Sequence, residues 1–182
     1  PPDIVSQPGV VSMLLNLKTK SSPGPDALPN AFLRRYAEKL SHFLVVIFHA
    51  SLSSAVLPSD WLRARVVPVP KKGDATLLTR PISLTSSSCK LLEHIIANEI
   101  NKFLSDTNIL SNYQHGFRKG FSTITQLTFI VHNFASVLDK SGQIDVVFLD
   151  FRKAFDLVFH CNLIKKLEMI NLPAYLINWI SA

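Results

Sequence analysis

The chain has 182 residues, enough for one domain or a large piece of one. Its 47% hydrophobic content allows a substantial core. Lys and Arg number 19 against 13 Asp and Glu, so the chain is basic, which suits a polyanion such as nucleic acid without identifying one. Cys89 and Cys161 lie far apart without Cys-x-x-Cys spacing, which excludes a cysteine zinc site and a disulfide framework. No basic-then-apolar signal stretch opens the chain. The apolar run 43–57, interrupted by His49 and serines, is too short to span a bilayer and reads as a core helix. The chain opens Pro-Pro and stops inside a helical pattern at 180–182, so both ends read as cut.

Taken in order, residues 10–17 form a short helical run, followed by a basic Pro/Gly-rich loop at 18–26. That loop is either an exposed connector or a contact to a phosphate backbone. Residues 29–56 are largely helical, with Phe32, Leu33, Tyr36, Leu40, Phe43, Leu44, Ile47 and Phe48 on a core stripe. Residues 65–70, RVVPVP, read as an edge strand, because proline cannot donate to a ladder. Lys71 and Lys72 make a basic tip, and 80–84, RPISL, is the returning strand. Such a hairpin is either solvated or a finger over a triphosphate, held by charge and forked hydrogen bonds. Residues 86–104 are a helix, capped by Ser86, Ser87 or Ser88, with Leu92, Ile95, Ile96, Ile100 and Phe103 on one face.

Residues 112–123, NYQHGFRKGFST, combine two glycines, basic residues and three aromatics in a loop. Aromatics can stack on bases while Arg and Lys meet phosphates. Ser122 can cap the following helix, whose apolar stripe is Ile124, Leu127, Val131, Phe134 and Leu138. Ser141-Gly142 turns the chain into 144–150, a short β-branched-rich stretch that reads as a strand buried on both faces and ending on Asp150. A carboxylate at the end of a central strand can present its oxygens in a cleft, where it needs a partner or a metal. Asp145 stands at odd spacing from Asp150 and would point to the other face. Asp156 can cap a helix starting near His160. Further helices follow, one carrying Leu163, Ile164, Leu167 and Ile170 and a last one opened by Pro173.

Four of these stretches, SPGPDALPNAFL, VVPVPKKGD with RPISLTS, QHGFRKGFST and FLDFRKAFD, resemble in order four blocks of reverse transcriptases. The branch they most resemble is that of non-LTR (LINE-type) retrotransposons. The resemblance implies an α/β (α+β) fold, a partial polymerase right hand. Residues from about 1 to 140 would be fingers and connecting helices. Residues from about 141 to 182 would start a palm whose small antiparallel sheet is backed by helices. It implies that Asp150 binds two Mg²⁺ ions, assisted by the main-chain carbonyl of Phe151, and that Phe155 lies under the incoming sugar. It implies that Arg80, with Lys71 or Lys72, contacts the nucleotide's phosphates, and that Gln114, Phe117 and Arg118 contact template or primer. The partners would be an RNA template, a DNA primer and deoxynucleoside triphosphates, with nuclear action at a chromosomal target.

The sequence departs from the family at Ala27, where glycine is usual, at the shortened joint 75–79, and at Val158-Phe159-His160, where the family has proline or serine before the histidine. The family's later aromatic-x-Asp-Asp motif does not occur in the chain. The expectation is therefore a fragment of an RNA-directed DNA polymerase that is inactive by itself. The alternative is a non-catalytic nucleic-acid-binding remnant.

Overall fold

The computed structural model describes residues 4–69 and 80–182. The chain divides into two compact units, one made of residues 1–100 and 171–182, the other of 101–170. The described elements are α1 (Gln7–Leu15), α2 (Asn30–Arg35), α3 (Ala37–Ser54), β1 (Arg65–Val69), β2 (Arg80–Leu84), α4 (Ser87–Asp106), α5 (Thr123–Leu138), α6 (His160–Met169) and α7 (Ala174–Ser181). They make a mixed, mainly helical fold with one small antiparallel sheet. Among the described residues no helix is long and apolar enough to cross a membrane.

All the buried residues described belong to the first unit. Ser6 caps α1, its hydroxyl accepting from the Gly9 N–H, and so starts the helix earlier than the apolar pattern alone suggests. Val10 and Leu14 from α1 meet α3, whose Leu44, Phe48 and Leu52 are buried. α7 also packs on α3. There the Trp179 indole N–H donates to Ser51 Oγ at 3.0 Å, and the Ser51 hydroxyl donates to the Val56 carbonyl at 2.9 Å. These bonds satisfy polar groups where α3 ends on Ala55 in the left-handed region.

The expected helix over 29–56 is broken at Tyr36, which is not helical (φ −108°, ψ 26°). The break changes which residues face inward. Leu33, Leu44 and Phe48 of the expected stripe are buried, whereas Phe32, Tyr36, Phe43 and Ile47 are exposed and small residues, Ala37, Ser41 and Ser51, fill the inner face of α3.

β1 and β2 pair antiparallel, with Arg65 opposite Leu84 and Val69 opposite Arg80. Pro68 faces Pro81. Two prolines can oppose each other in a ladder only where the pair exchanges no hydrogen bonds, since neither has an N–H to give. Every residue of β1 is exposed, so the hairpin stands off the helical body. Lys71 and Lys72 lie outside the described residues.

The base of this hairpin is tied down by the loop before α2. Gly24 lies against the backbone of Thr85 and Ser86, where an added Cβ would come within 2.6 Å of the Ser86 nitrogen. Asp26 Oδ2 accepts from the Ser86 hydroxyl at 2.6 Å, and its Oδ1 accepts from the Leu28 N–H. Ser86 Oγ is 2.8 Å from Ser88 Oγ, which accepts from the Trp61 indole N–H at 3.0 Å. Alongside, the Ser87 hydroxyl donates to Asn30, whose amide donates to the Lys18 carbonyl. This loop is therefore locked to the body. Ala27 has φ 54°, the left-handed region in which glycine carries no steric penalty.

The expected buried strand at 144–150 is absent. The stretch has no regular structure, and Phe148 and Leu149 are 91% and 89% exposed. A strand persists only where a neighbour takes up its N–H and C=O groups, and among the described residues β1 and β2 pair only with each other. The apolar stripe of α5 is likewise present but unburied, with Ile124, Leu127, Val131 and Leu138 exposed. The cap of α5 is as expected: Ser122 Oγ accepts from the Thr125 N–H while Thr125 Oγ1 accepts from the Ser122 N–H. Asp156 does not cap α6, which begins after Phe159 without a side-chain cap.

Two outcomes follow for stability and reactivity. Gly24→Ala forces its Cβ into backbone and should destabilise the chain by about 2 kcal/mol, while Ala27→Gly relieves a left-handed residue and should stabilise it by about 1 kcal/mol, both read from urea midpoints. The Cys89 thiol is pushed up to about 12, first by burial and then by Glu93, which accepts from its S–H. A thiol reagent at pH 8 should therefore label exposed Cys161 and spare Cys89 until the chain unfolds, as mass spectrometry of the labelled peptides would show.

Candidate nucleic-acid and metal site

In the second unit, the loop leading to α5 is held together by one arginine. Arg118 Nη1 donates to the carbonyls of Ser111, at 2.9 Å, and Gln114, at 3.3 Å. Its guanidinium carbon lies 4.4 Å from the centroid of the Phe121 ring, a cation–π contact. His115 meets the same ring edge-on at 5.0 Å, and its Nδ1 is 3.0 Å from Thr125 Oγ1. Tyr113 packs on Phe129 of α5 at 5.7 Å. The two glycines and basic residues of this stretch thus build a compact loop around Arg118 and Phe121. Nη1 is occupied by the two carbonyls.

A cleft of about 140 Å³ opens beside the loop, lined by Asn101, Ser105, Leu110, Arg118, Lys119 and Phe121. Lys119, the other basic residue of this stretch, brings a second cation to it. A cavity of about 630 Å³ between α1 and the start of α3 contains none of the expected site residues.

Phe117 has φ 59°, an unusual conformation for a side chain of its size, and is 87% exposed. Its ring meets the edge of the Phe155 ring, with centroids 6.2 Å apart and planes at 79°. Phe155 is itself 80% exposed. The second unit therefore brings together two stretches that the sequence holds nearly forty residues apart: the loop with Gln114, Phe117 and Arg118, and the segment with Asp150, Phe151 and Phe155. Gln114 donates to the Gly116 carbonyl at 3.4 Å, which keeps its side chain within the loop. Arg80 belongs to the first unit, as the first residue of β2.

Asp150 is exposed in the irregular segment. Its carboxylate and the Phe151 carbonyl are hard oxygen donors of the kind that Mg²⁺ takes. Asp145 accepts from Gln143 Nε2 at 3.1 Å. Among the described residues no group of three His, Cys, Asp or Glu side chains stands close enough to hold a metal ion. One carboxylate does not hold two divalent ions, so the described residues do not by themselves make a two-metal site.

Arg118→Ala should open the loop, with amide exchange over 111–121 rising by about tenfold as two carbonyl bonds and the ring contact are lost. Arg118→Lys should not restore protection, because an ammonium lacks the planar fork. Hydrogen-exchange mass spectrometry on the three chains checks both statements.

Comparison with known proteins bears on what these stretches belong to. Residues 69–182, more than half of the chain, match the family described as reverse transcriptase (RNA-dependent DNA polymerase). The chain is 34% identical over 164 residues to the probable RNA-directed DNA polymerase from transposon BS of Drosophila melanogaster, an alignment covering 88% of this chain and 18% of that protein. It is 32% identical over 176 residues to the RNA-directed DNA polymerase from mobile element jockey of Drosophila funebris, covering 95% and 19%. It is 26% identical over 163 residues to the Pol polyprotein from type-1 retrotransposable element R2 of Popillia japonica, covering 88% and 22%. The chain spans about a fifth of the length of these relatives. By this match and by the order of its four sequence blocks, the chain belongs to the reverse transcriptase family, in the branch carried by non-LTR retrotransposons.

Proposed function

We propose that this chain forms the fingers and the opening of the palm of a polymerase that extends a DNA primer on an RNA template, using deoxynucleoside triphosphates. The observation that carries the reading is the reverse-transcriptase match over residues 69–182. Fingers and connecting helices take residues from about 1 to 140, and the palm starts at about 141.

Each residue has a part that suits its chemistry. Asp150 contributes one carboxylate, and Phe151 its carbonyl, to a divalent-metal set completed by ligands other than the described residues. Bound there, a pair of Mg²⁺ ions would activate the primer hydroxyl and stabilise the leaving phosphate oxygens. Phe155 lies under the sugar of the incoming nucleotide, where its bulk disfavours a 2′-hydroxyl. Its exposure leaves a ring face open for that contact. Arg80, Lys71 and Lys72 hold the triphosphate by charge and forked hydrogen bonds. Phe117 offers a ring on which a base can stack, and Gln114 and Arg118 hold the template or primer strand beside it. The net positive charge of the chain supports a polyanionic partner.

In a polymerase that contains this segment, Asp150→Ala should lower primer extension on an RNA template by about a thousandfold, the worth of a lost metal ligand of about 4 kcal/mol, with binding of the template–primer retained. Extension at the wild-type rate would remove Asp150 from the metal set.

A further inference from the structure

The hydrogen-bond chain at the base of the hairpin has a direction. An indole N–H can only donate and a carboxylate can only accept, so the two ends decide which way the hydroxyls in between must point. Trp61 donates to Ser88, Ser88 donates to Ser86, and Ser86 donates to Asp26. Aligned hydroxyls polarise one another, and a charged acceptor at the end strengthens the last bond. Ser86 is 0% exposed, so its bond to Asp26 is shielded from water.

Both legs of the hairpin enter this chain. Trp61 lies four residues before β1 and meets the buried ring of Phe48 edge-on at 6.0 Å. Ser86 lies two residues after β2 and begins α4, its carbonyl accepting from the Lys90 N–H. β1 is exposed along its whole length, so this base is where its placement is decided. Arg80 stands at the far end of β2, six residues from Ser86 and about 20 Å away along an extended strand. At that distance a tilt of about 10° at the base moves Arg80 by about 3 Å, enough to break a hydrogen bond to a ligand.

We infer that Asp26 is a positioning residue for the β1–β2 hairpin: through Ser86, Ser88 and Trp61 it fixes the angle at which the hairpin presents Arg80 to a nucleoside triphosphate. The nucleotide part of this inference rests on the proposed function of Arg80, whereas the clasp itself stands on the hydrogen bonds. Gly24 belongs to the same device, since only a residue without Cβ lets the Asp26 loop come this close to Thr85 and Ser86.

The test compares Asp26→Ala, which removes the acceptor, with Asp26→Asn, which keeps one. In the 182-residue chain, Asp26→Ala should raise amide exchange in β1 and β2 by about tenfold while α3 stays at the wild-type rate, and Asp26→Asn should restore most of the protection. Affinity for a fluorescent dTTP analogue with Mg²⁺ should fall by about fivefold in Asp26→Ala and recover in Asp26→Asn. Exchange that is unchanged, or that rises equally in α3, overturns the inference. So does an unchanged nucleotide affinity in Asp26→Ala when Arg80→Ala weakens it. If Arg80→Ala leaves the affinity unchanged, the proposed role of Arg80 fails, and the exchange pattern still judges the clasp. Should Asp26→Ala not fold, Ser88→Ala cuts the Trp61 leg alone and must loosen β1, or the inference falls.

Discussion

The first unit depends on how closely the Gly24–Asp26 loop approaches the start of α4. Buried hydroxyls there would each lose about 1–3 kcal/mol if left without partners. The structure satisfies them with one another and with Asp26, Asn30 and Trp61. Ser86, Ser87 and Asn30 among them are buried. They hold together the loop, the hairpin base and the start of a helix, which the hydrophobic effect alone would leave free to slide. The apolar core of Leu14, Phe48, Leu92 and Leu176 supplies bulk stabilisation, and the hydroxyl chain supplies register.

The second unit is built by another principle. None of its described residues is buried, and its helices expose apolar stripes. Its order comes from local interactions: the reciprocal cap of Ser122 and Thr125, the Arg118 bonds to two carbonyls, and aromatic contacts around Phe121 and Phe129. Local interactions of this kind shape a loop with little burial. The result is a surface of rings and cations, suited to stacking and phosphate contact. The same exposure leaves Asp150 and Phe155 open to solvent.

The residues proposed for nucleotide and metal belong to different units. The charge proposed for the triphosphate stands on a strand of the first. The carboxylate proposed for the metal stands in the irregular segment of the second. The strand contact proposed for Arg118 does not conflict with its observed loop bonds, because a guanidinium can hold its own loop with one nitrogen and offer the rest of its fork outward.

By itself the sequence determined what is local. Helical periodicity located α4 through α7 to within a few residues, prolines marked the hairpin as an edge pair, and Ser122 announced its cap. The family was legible because its blocks are contiguous strings such as QHGFRKGFST and FLDFRKAFD. Tertiary structure decided what depends on residues far apart in the chain. The kink at Tyr36 changed which side of α3 is buried, since periodicity fixes a stripe but not its partner. The stretch 144–150 has the composition of a buried strand, but a strand exists only through its neighbours, and none pairs with it among the described residues. The Asp26–Ser86 bond joins residues sixty positions apart, so no local pattern could reveal it. In the sequence, Gly24 and Asp26 read as a turn. Only packing against Thr85 and Ser86 shows why one must lack a side chain and the other must carry an acceptor.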